Sequence, residues 1–208
     1  MDKKKYLCLL FFLFNINCYS SKKPLENKVL NALVLSGTKS PIKLNLIGDS
    51  LSTRSESFGL KHSLPSYQIQ DFSIPGYSTN DWLLELDRTL NPNPDIFLIV
   101  LGTNDAYKNS GNDFLKNLIR ISELLRLKSA ARIIYAIPPI TKDPIIIPIR
   151  TKNNQELRER FPNLVIDLER NLQSFSGDSL YPADDPIHPN DFGKTLISEI
   201  FRKYFLNL

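Results

Sequence analysis

Four short stretches carry side chains that could act together on one carbonyl carbon: Gly48-Asp49-Ser50-Leu51, Ile74-Pro75-Gly76-Tyr77, Gly102-Thr103-Asn104-Asp105 and Asp185-Pro186-Ile187-His188-Pro189. A serine hydroxyl is a weak nucleophile until a neighbouring imidazole takes its proton. The imidazole in turn needs a carboxylate to hold its tautomer and to stabilise the cation that forms. Asp185 and His188, three residues apart in one tight loop, can meet on a single turn. Acyl transfer also needs donors aimed at the oxyanion, and Gly76 and Asn104 are of the right types: a glycine admits backbone N–H at close range, and an asparagine amide is a rigid donor. Each residue has a plainer reading. Ser50 suits a helix cap, Asn104 an ordinary turn, and His188 the start of a helix. The set, not any member, points to nucleophilic chemistry.

The other polar residues fit less well. The chain has two histidines, His62 and His188; His62 lies in the polar run Lys61-His62-Ser63, with no carboxylate close by in sequence, and reads as a surface residue. Asp184 competes with Asp185 for the histidine, but the three-residue spacing favours Asp185. Asp49 and Asp105 read as loop braces that accept backbone hydrogen bonds. Asp178, Asp184 and Asp185 lack the density of oxygen ligands that a calcium loop requires.

Such loops must be positioned by a scaffold. Short apolar runs at Lys43–Ile47, Tyr67–Phe72, Ile96–Leu101, Arg132–Ile137 and Leu164–Leu168 read as strands. Between them lie amphipathic stretches. Trp82, Leu83, Leu86 and Leu90 share a helical face behind a capping box at Ser78 and Asp81. Phe114, Leu115, Leu118, Ile121, Leu124 and Leu125 form a second stripe, and Phe192, Leu196, Ile200 and Phe201 a third. Alternating β and α, with nearly continuous apolar strands, predicts a parallel sheet covered on both faces. Five strands suit an α/β fold of the flavodoxin-like kind, a three-layer α/β/α sandwich whose ligands bind beyond the carboxyl ends of the strands. There a glycine at position 48 is expected to let the chain turn sharply. The loop Pro138–Pro148, with Ile145-Ile146-Ile147 between prolines, should hang over the same edge. Those isoleucines suit an acyl pocket, a membrane contact or the protein's own core.

The four stretches, in this order and at these separations, resemble the motif blocks of the GDSL/SGNH hydrolases from Lys43 to the carboxyl end. The resemblance implies Ser50 as nucleophile, His188 as general base and Asp185 as its partner. It implies an oxyanion hole made by the Ser50 N–H, the Gly76 N–H and the Asn104 amide, with no metal or organic cofactor. Where many members continue the first block with a small residue and glycine, this chain has Ser52-Thr53-Arg54, a bulkier and charged helix start that would narrow or polarise the site. The Gly-x-Ser-x-Gly elbow of α/β-hydrolases is absent, since Ser52 stands where its second glycine would. The expected activity is cleavage of acyl or O-acetyl esters of glycans, lysophospholipids or small lipids through an acyl-enzyme. An acyltransferase would use the same residues, and the chief rival is a silent lipoprotein that binds a glycan or protein partner.

Length and composition bound the rest. With 208 residues the chain holds one domain with a substantial core. Its formal charge is +4, but without Asp2, Lys3, Lys4 and Lys5 the balance is 23 basic to 21 acidic residues. No basic stripe with interleaved aromatics points to nucleic acid. Residues 1–17, three lysines and then Tyr6–Phe14, read as an export signal too short to span a bilayer permanently. Asn15-Ile16-Asn17-Cys18 resembles a bacterial lipoprotein processing site, which implies a lipid anchor at Cys18 and a tether over 18–42, with the hydrolase domain at 43–208. Cleavage after Ser20 is the alternative, and both place the protein outside the cytoplasm, in the cell envelope or secreted. Asn31–Leu35 within the tether suits an edge strand or a short helix. Cys8 and Cys18 are the only cysteines, so the domain has no thiol for a disulfide, a nucleophile or a thiolate metal site.

Overall fold

The computed structural model describes residues 40–108 and 113–208; the leader, Cys18 and the segment Asn31–Leu35 lie outside them. Five strands are present: β1 (Ile42–Ile47), β2 (Tyr67–Asp71), β3 (Ile96–Val100), β4 (Arg132–Ile137) and β5 (Val165–Asp167). They form one wholly parallel sheet in the order β2-β1-β3-β4-β5. The described helices are α1 (Ser50–Thr53), α2 (Leu60–Ser63), α3 (Thr79–Trp82), α4 (Thr103–Tyr107), α5 (Phe114–Lys128), α6 (Ile147–Arg160), α7 (Leu168–Leu172), α8 (Gly177–Leu180) and α9 (Asp191–Leu206).

Because side chains alternate along a strand, each strand feeds two cores. Ile96, Leu98 and Val100 of β3 join Leu44, Leu46, Ile134 and Ala136 on one face, under Leu60 of α2 and Ile197, Phe201 and Phe205 of α9. Phe97 and Ile99 join Ile133, Tyr135 and Ile137 on the other, under Trp82 of α3 and Phe114, Leu118, Ile121 and Leu125 of α5. This is the α/β three-layer sandwich expected from the alternation of elements. Burial on both faces is why the strands read as unbroken apolar runs.

The element boundaries differ in instructive ways. β1 begins at Ile42, one residue before the expected start. β5 stops at Asp167 because that side chain accepts from the Arg170 N–H and caps α7, so Leu168 belongs to a helix. The stripe from Trp82 to Leu90 is not one helix: α3 ends at Trp82, and Leu86–Leu90 is a 3₁₀ turn. Buried Asn45 of β1 fixes the turn that follows the stripe, since its amide donates to the Thr89 carbonyl (2.6 Å) and the Pro92 carbonyl (3.0 Å). Those carbonyls are held by a side chain and do not continue a helical ladder. α6 was not anticipated at all. Its buried side chains are Arg150, Asn153, Asn154 and Leu157, so the face it presents inward is mostly polar and leaves no apolar period to read.

Candidate active site

Gly48 ends β1, and its need for a missing side chain is steric. A Cβ there would sit 2.6 Å from Ser73 Oγ, while its φ is not among the positive ones. The sharp turn therefore does not rest on unusual backbone angles at Gly48: close approach of Ser73 from the β2 loop crowds any side chain there, which would have to displace the Ser73 hydroxyl. Asp49, not Ser50, is the cap of α1, for its Oδ1 accepts from the Leu51 N–H at 2.9 Å. With the cap supplied by its neighbour, Ser50 stands at the first helical position with its hydroxyl directed elsewhere. Beneath the turn, Trp82 Nε1 donates to the Gly48 carbonyl at 3.0 Å. The indole is thus a brace for this turn as well as core.

Ser50 Oγ lies 2.8 Å from His188 Nε2. His188 Nδ1 lies 2.8 Å from Asp185 Oδ2. Asp185 Oδ1 accepts from the N–H groups of Ile187 (3.0 Å) and His188 (2.9 Å), which folds the loop into a tight turn that aims the ring. Partial burial opposes ionisation of Asp185, but these N–H groups and the imidazole outweigh it and hold the carboxyl below its ordinary pKa. An ionised Asp185 fixes the proton of His188 on Nδ1 and leaves Nε2 free to accept from Ser50. Asp184 is exposed and takes no part.

The loop is held from outside too. In the segment after β4, Thr141 Oγ1 and the Lys142 N–H both donate to the Pro186 carbonyl, at 2.9 and 3.0 Å. Tyr181 Oη donates to the Ile140 carbonyl, and buried Arg150 donates to the Pro139 carbonyl. The isoleucines of this segment divide their roles: Ile146 is wholly buried, Ile145 is 75 % exposed, and Ile147 opens α6 with partial exposure.

Gly76 follows β2 in a turn with φ of +81°, left-handed backbone that glycine adopts without strain. Asn104 lies in the first turn of α4. Its Nδ2 donates to Asp49 Oδ2 at 3.0 Å and to the Tyr77 carbonyl at 3.1 Å, so both amide hydrogens are engaged, one by the residue before Ser50 and one by the loop after β2. Asp105 accepts from the Thr79 N–H at 3.2 Å and ties the Gly76 loop to α4. Burial pushes the Asp49 carboxyl up to about 7, against the pull of the Leu51 N–H and Arg150. Tyr107, one turn after Asn104, donates to Asp143; burial and that carboxylate push its phenol up to about 12.

Arg54, expected only as a charge that would narrow or polarise the site, makes a specific contact that the sequence did not suggest. Its Nη1 lies 3.1 Å from Asp185 Oδ2 and 3.1 Å from His188 Nδ1. It also borders a cleft of about 510 Å³ lined in part by Glu56, His62, Asp191 and Lys194. His62 is exposed there. The signal was present in the sequence only as a charged residue at an unusual place in the first block.

Chemically, Ser50, His188 and Asp185 form a continuous hydrogen-bonded chain from hydroxyl to carboxylate, with the Gly76 and Asn104 loops on either side of β1. A family model for the GDSL-like Lipase/Acylhydrolase family matches residues 46–196. Comparison with curated proteins found no match. Among solved structures, the lipase/acylhydrolase from Enterococcus faecalis is 20% identical with a TM-score of 0.65, covering 79% of this chain and 95% of that one. A member of the lipolytic protein G-D-S-L family from Veillonella parvula DSM 2008 is 17% identical with a TM-score of 0.67, covering 80% and 100%. The acetyl xylan esterase AlAXEase is 19% identical with a TM-score of 0.63, covering 78% and 99%. At these identities the structures are alike in fold.

Proposed function

Because the chain belongs to the GDSL-like lipase/acylhydrolase family, a family of hydrolases acting on esters, we propose that it cleaves small carboxylic esters, acyl or O-acetyl, through an acyl-enzyme on Ser50. His188 Nε2 takes the hydroxyl proton as Ser50 Oγ attacks the carbonyl carbon. The oxyanion is received by the N–H groups of Ser50 and Gly76 and by the Asn104 amide, which shares a hydrogen now on Tyr77 or Asp49. His188 then returns its proton to the departing alkoxide, and water activated by the same nitrogen releases the acid. Asp185 stabilises the imidazolium in both steps. The observation that carries this reading is the 2.8 Å approach of Ser50 Oγ to His188 Nε2. A fluorophosphonate probe tests it: the wild type labels and hydrolyses para-nitrophenyl acetate, and Ser50→Ala does neither. Undiminished turnover in Ser50→Ala would remove the serine from the mechanism.

The same reading includes export and a lipid anchor at Cys18, supported by Lys3-Lys4-Lys5, the apolar run behind them and the residues before Cys18. None of the described helices is long and apolar enough to cross a membrane. Labelled palmitate incorporated by the wild type and not by Cys18→Ser supports the anchor; an unlabelled wild type would favour cleavage after Ser20.

A further inference from the structure

Arg54 occupies a place that catalysis alone does not explain. His188 Nδ1 donates its hydrogen to Asp185 Oδ2 at 2.8 Å, so the Arg54 guanidinium, 3.1 Å from the same nitrogen, meets a donor with another donor. Only its contact with Asp185 Oδ2 is favourable. When Ser50 gives up its proton, the ring becomes a cation beside an existing one. A guanidinium in this position therefore opposes the charge that the carboxylate is there to stabilise.

Nor does Asp185 need Arg54 to keep its place. The carboxylate is already held by the N–H groups of Ile187 and His188 and by the imidazole. Arg54 in turn is loosely held. Its side chain is 61 % exposed, its Nη1 alone touches Asp185, and among the described residues its other guanidinium nitrogens have no hydrogen-bond partner. The two-pronged fork that a guanidinium offers to a carboxylate or phosphate is thus unused.

We propose that Arg54 is a charge-sensing latch: at rest it occupies Asp185, and an anionic group on the alcohol half of the ester draws it off by offering a bidentate partner, releasing the catalytic pair for turnover. The alcohol half is the relevant one because His188 must reach the leaving oxygen, and Arg54 sits beside His188. Glu56, Asp191 and Glu199 outnumber Lys194 in the neighbouring cleft, which favours a single carboxylate or phosphate over a polyanion. This rests on the hydrolase reading above and names the substrate class for it.

The experiment compares kcat/KM for meta-acetoxybenzoate and phenyl acetate in the wild type, Arg54→Gln and Arg54→Lys. The wild type should prefer the anionic ester by roughly tenfold, the size of one charge-assisted contact near the surface. In Arg54→Gln that preference should vanish while kcat on phenyl acetate rises about threefold, as a nearby charge opposing the imidazolium is removed. Arg54→Lys, a cation without the fork, should keep only part of the preference. An unchanged ratio in Arg54→Gln, or an equal loss on both esters, would overturn the latch, the latter making Arg54 a mere support for Asp185. A wild type that hydrolyses neither ester would instead overturn the hydrolase reading beneath it.

Discussion

Asn104 and Asp49 meet beside Ser50 through a single hydrogen bond. Asn104 Nδ2 bonds to Asp49 Oδ2 and to the Tyr77 carbonyl, which fixes the amide beside Ser50, and to donate to an oxyanion it must release one of those two bonds. Asn104→Ala should lower kcat by about a hundred- to a thousandfold with little change in KM, the loss seen when one such donor is removed. A change under twofold in steady-state assays would take Asn104 out of the hole. Asp49 carries a second consequence. Its folded-state carboxyl is pushed up to about 7 from 3.8, so between those values the folded chain keeps a proton that the unfolded chain has released. Stability from this group is therefore lost as pH rises through that window. Thermal melts from about pH 4 to 8 should show Tm falling less steeply in Asp49→Asn than in the wild type; parallel curves would return the carboxyl to its ordinary value.

At the scale of elements, the legible parts were those whose burial is apolar. The strands and the stripes of α5 and α9 were readable because a two-sided core demands hydrophobic side chains at fixed periods. Ser50, Asp185 and His188, which the structure brings within hydrogen-bond distance, were legible as residue types in loops, whereas the contact of Arg54 was not, because no local rule distinguishes a solvated arginine from one folded back on a carboxylate. α6 was unreadable for the opposite reason: Arg150, Asn153 and Asn154 are all buried on it. The turn that ends the stripe is held by Asn45, 44 residues before Thr89. Such long-range competition for carbonyls has no period. The segment between β4 and α6 is the element on which the histidine loop leans, through Thr141 and Lys142 onto the Pro186 carbonyl. Thr141→Val keeps the shape and removes one of those two bonds together with the one that Thr141 Oγ1 accepts from the Asp143 N–H. It should cost about 1–3 kcal/mol of stability and lower kcat severalfold at unchanged KM, read from denaturant melts and ester assays. A variant indistinguishable in kcat would show that the Lys142 N–H suffices.

The molecule as a whole makes the site by topology. β1 lies between β2 and β3, so the loop that follows β1 must have the β2 loop on one side and the β3 loop on the other. That is the switch point at which parallel α/β sheets bind ligands, and it is why residues as distant in sequence as Ser50, Gly76 and Asn104 are neighbours at one edge. The histidine arrives differently, on the loop that leads into α9, whose apolar face packs through Ile197, Phe201 and Phe205 into the core beneath β1 and β3. The hydrogen-bonded chain from Ser50 through His188 to Asp185 is thus closed by the last helix docking on the first face of the sheet. Residues Pro41–Leu208 make one compact unit that contains every residue placed at the site. A chain beginning at Ser40 should then unfold in a single cooperative transition and keep kcat/KM on para-nitrophenyl acetate within about twofold of the full chain. Phe201→Ala, which opens a cavity under that docking surface, should destabilise it by about 3–5 kcal/mol and lose activity only as the folded fraction falls. Activity lost ahead of unfolding, measured by following turnover and circular dichroism along one denaturant series, would mean that α9 loosens from the sheet on its own and carries His188 away with it.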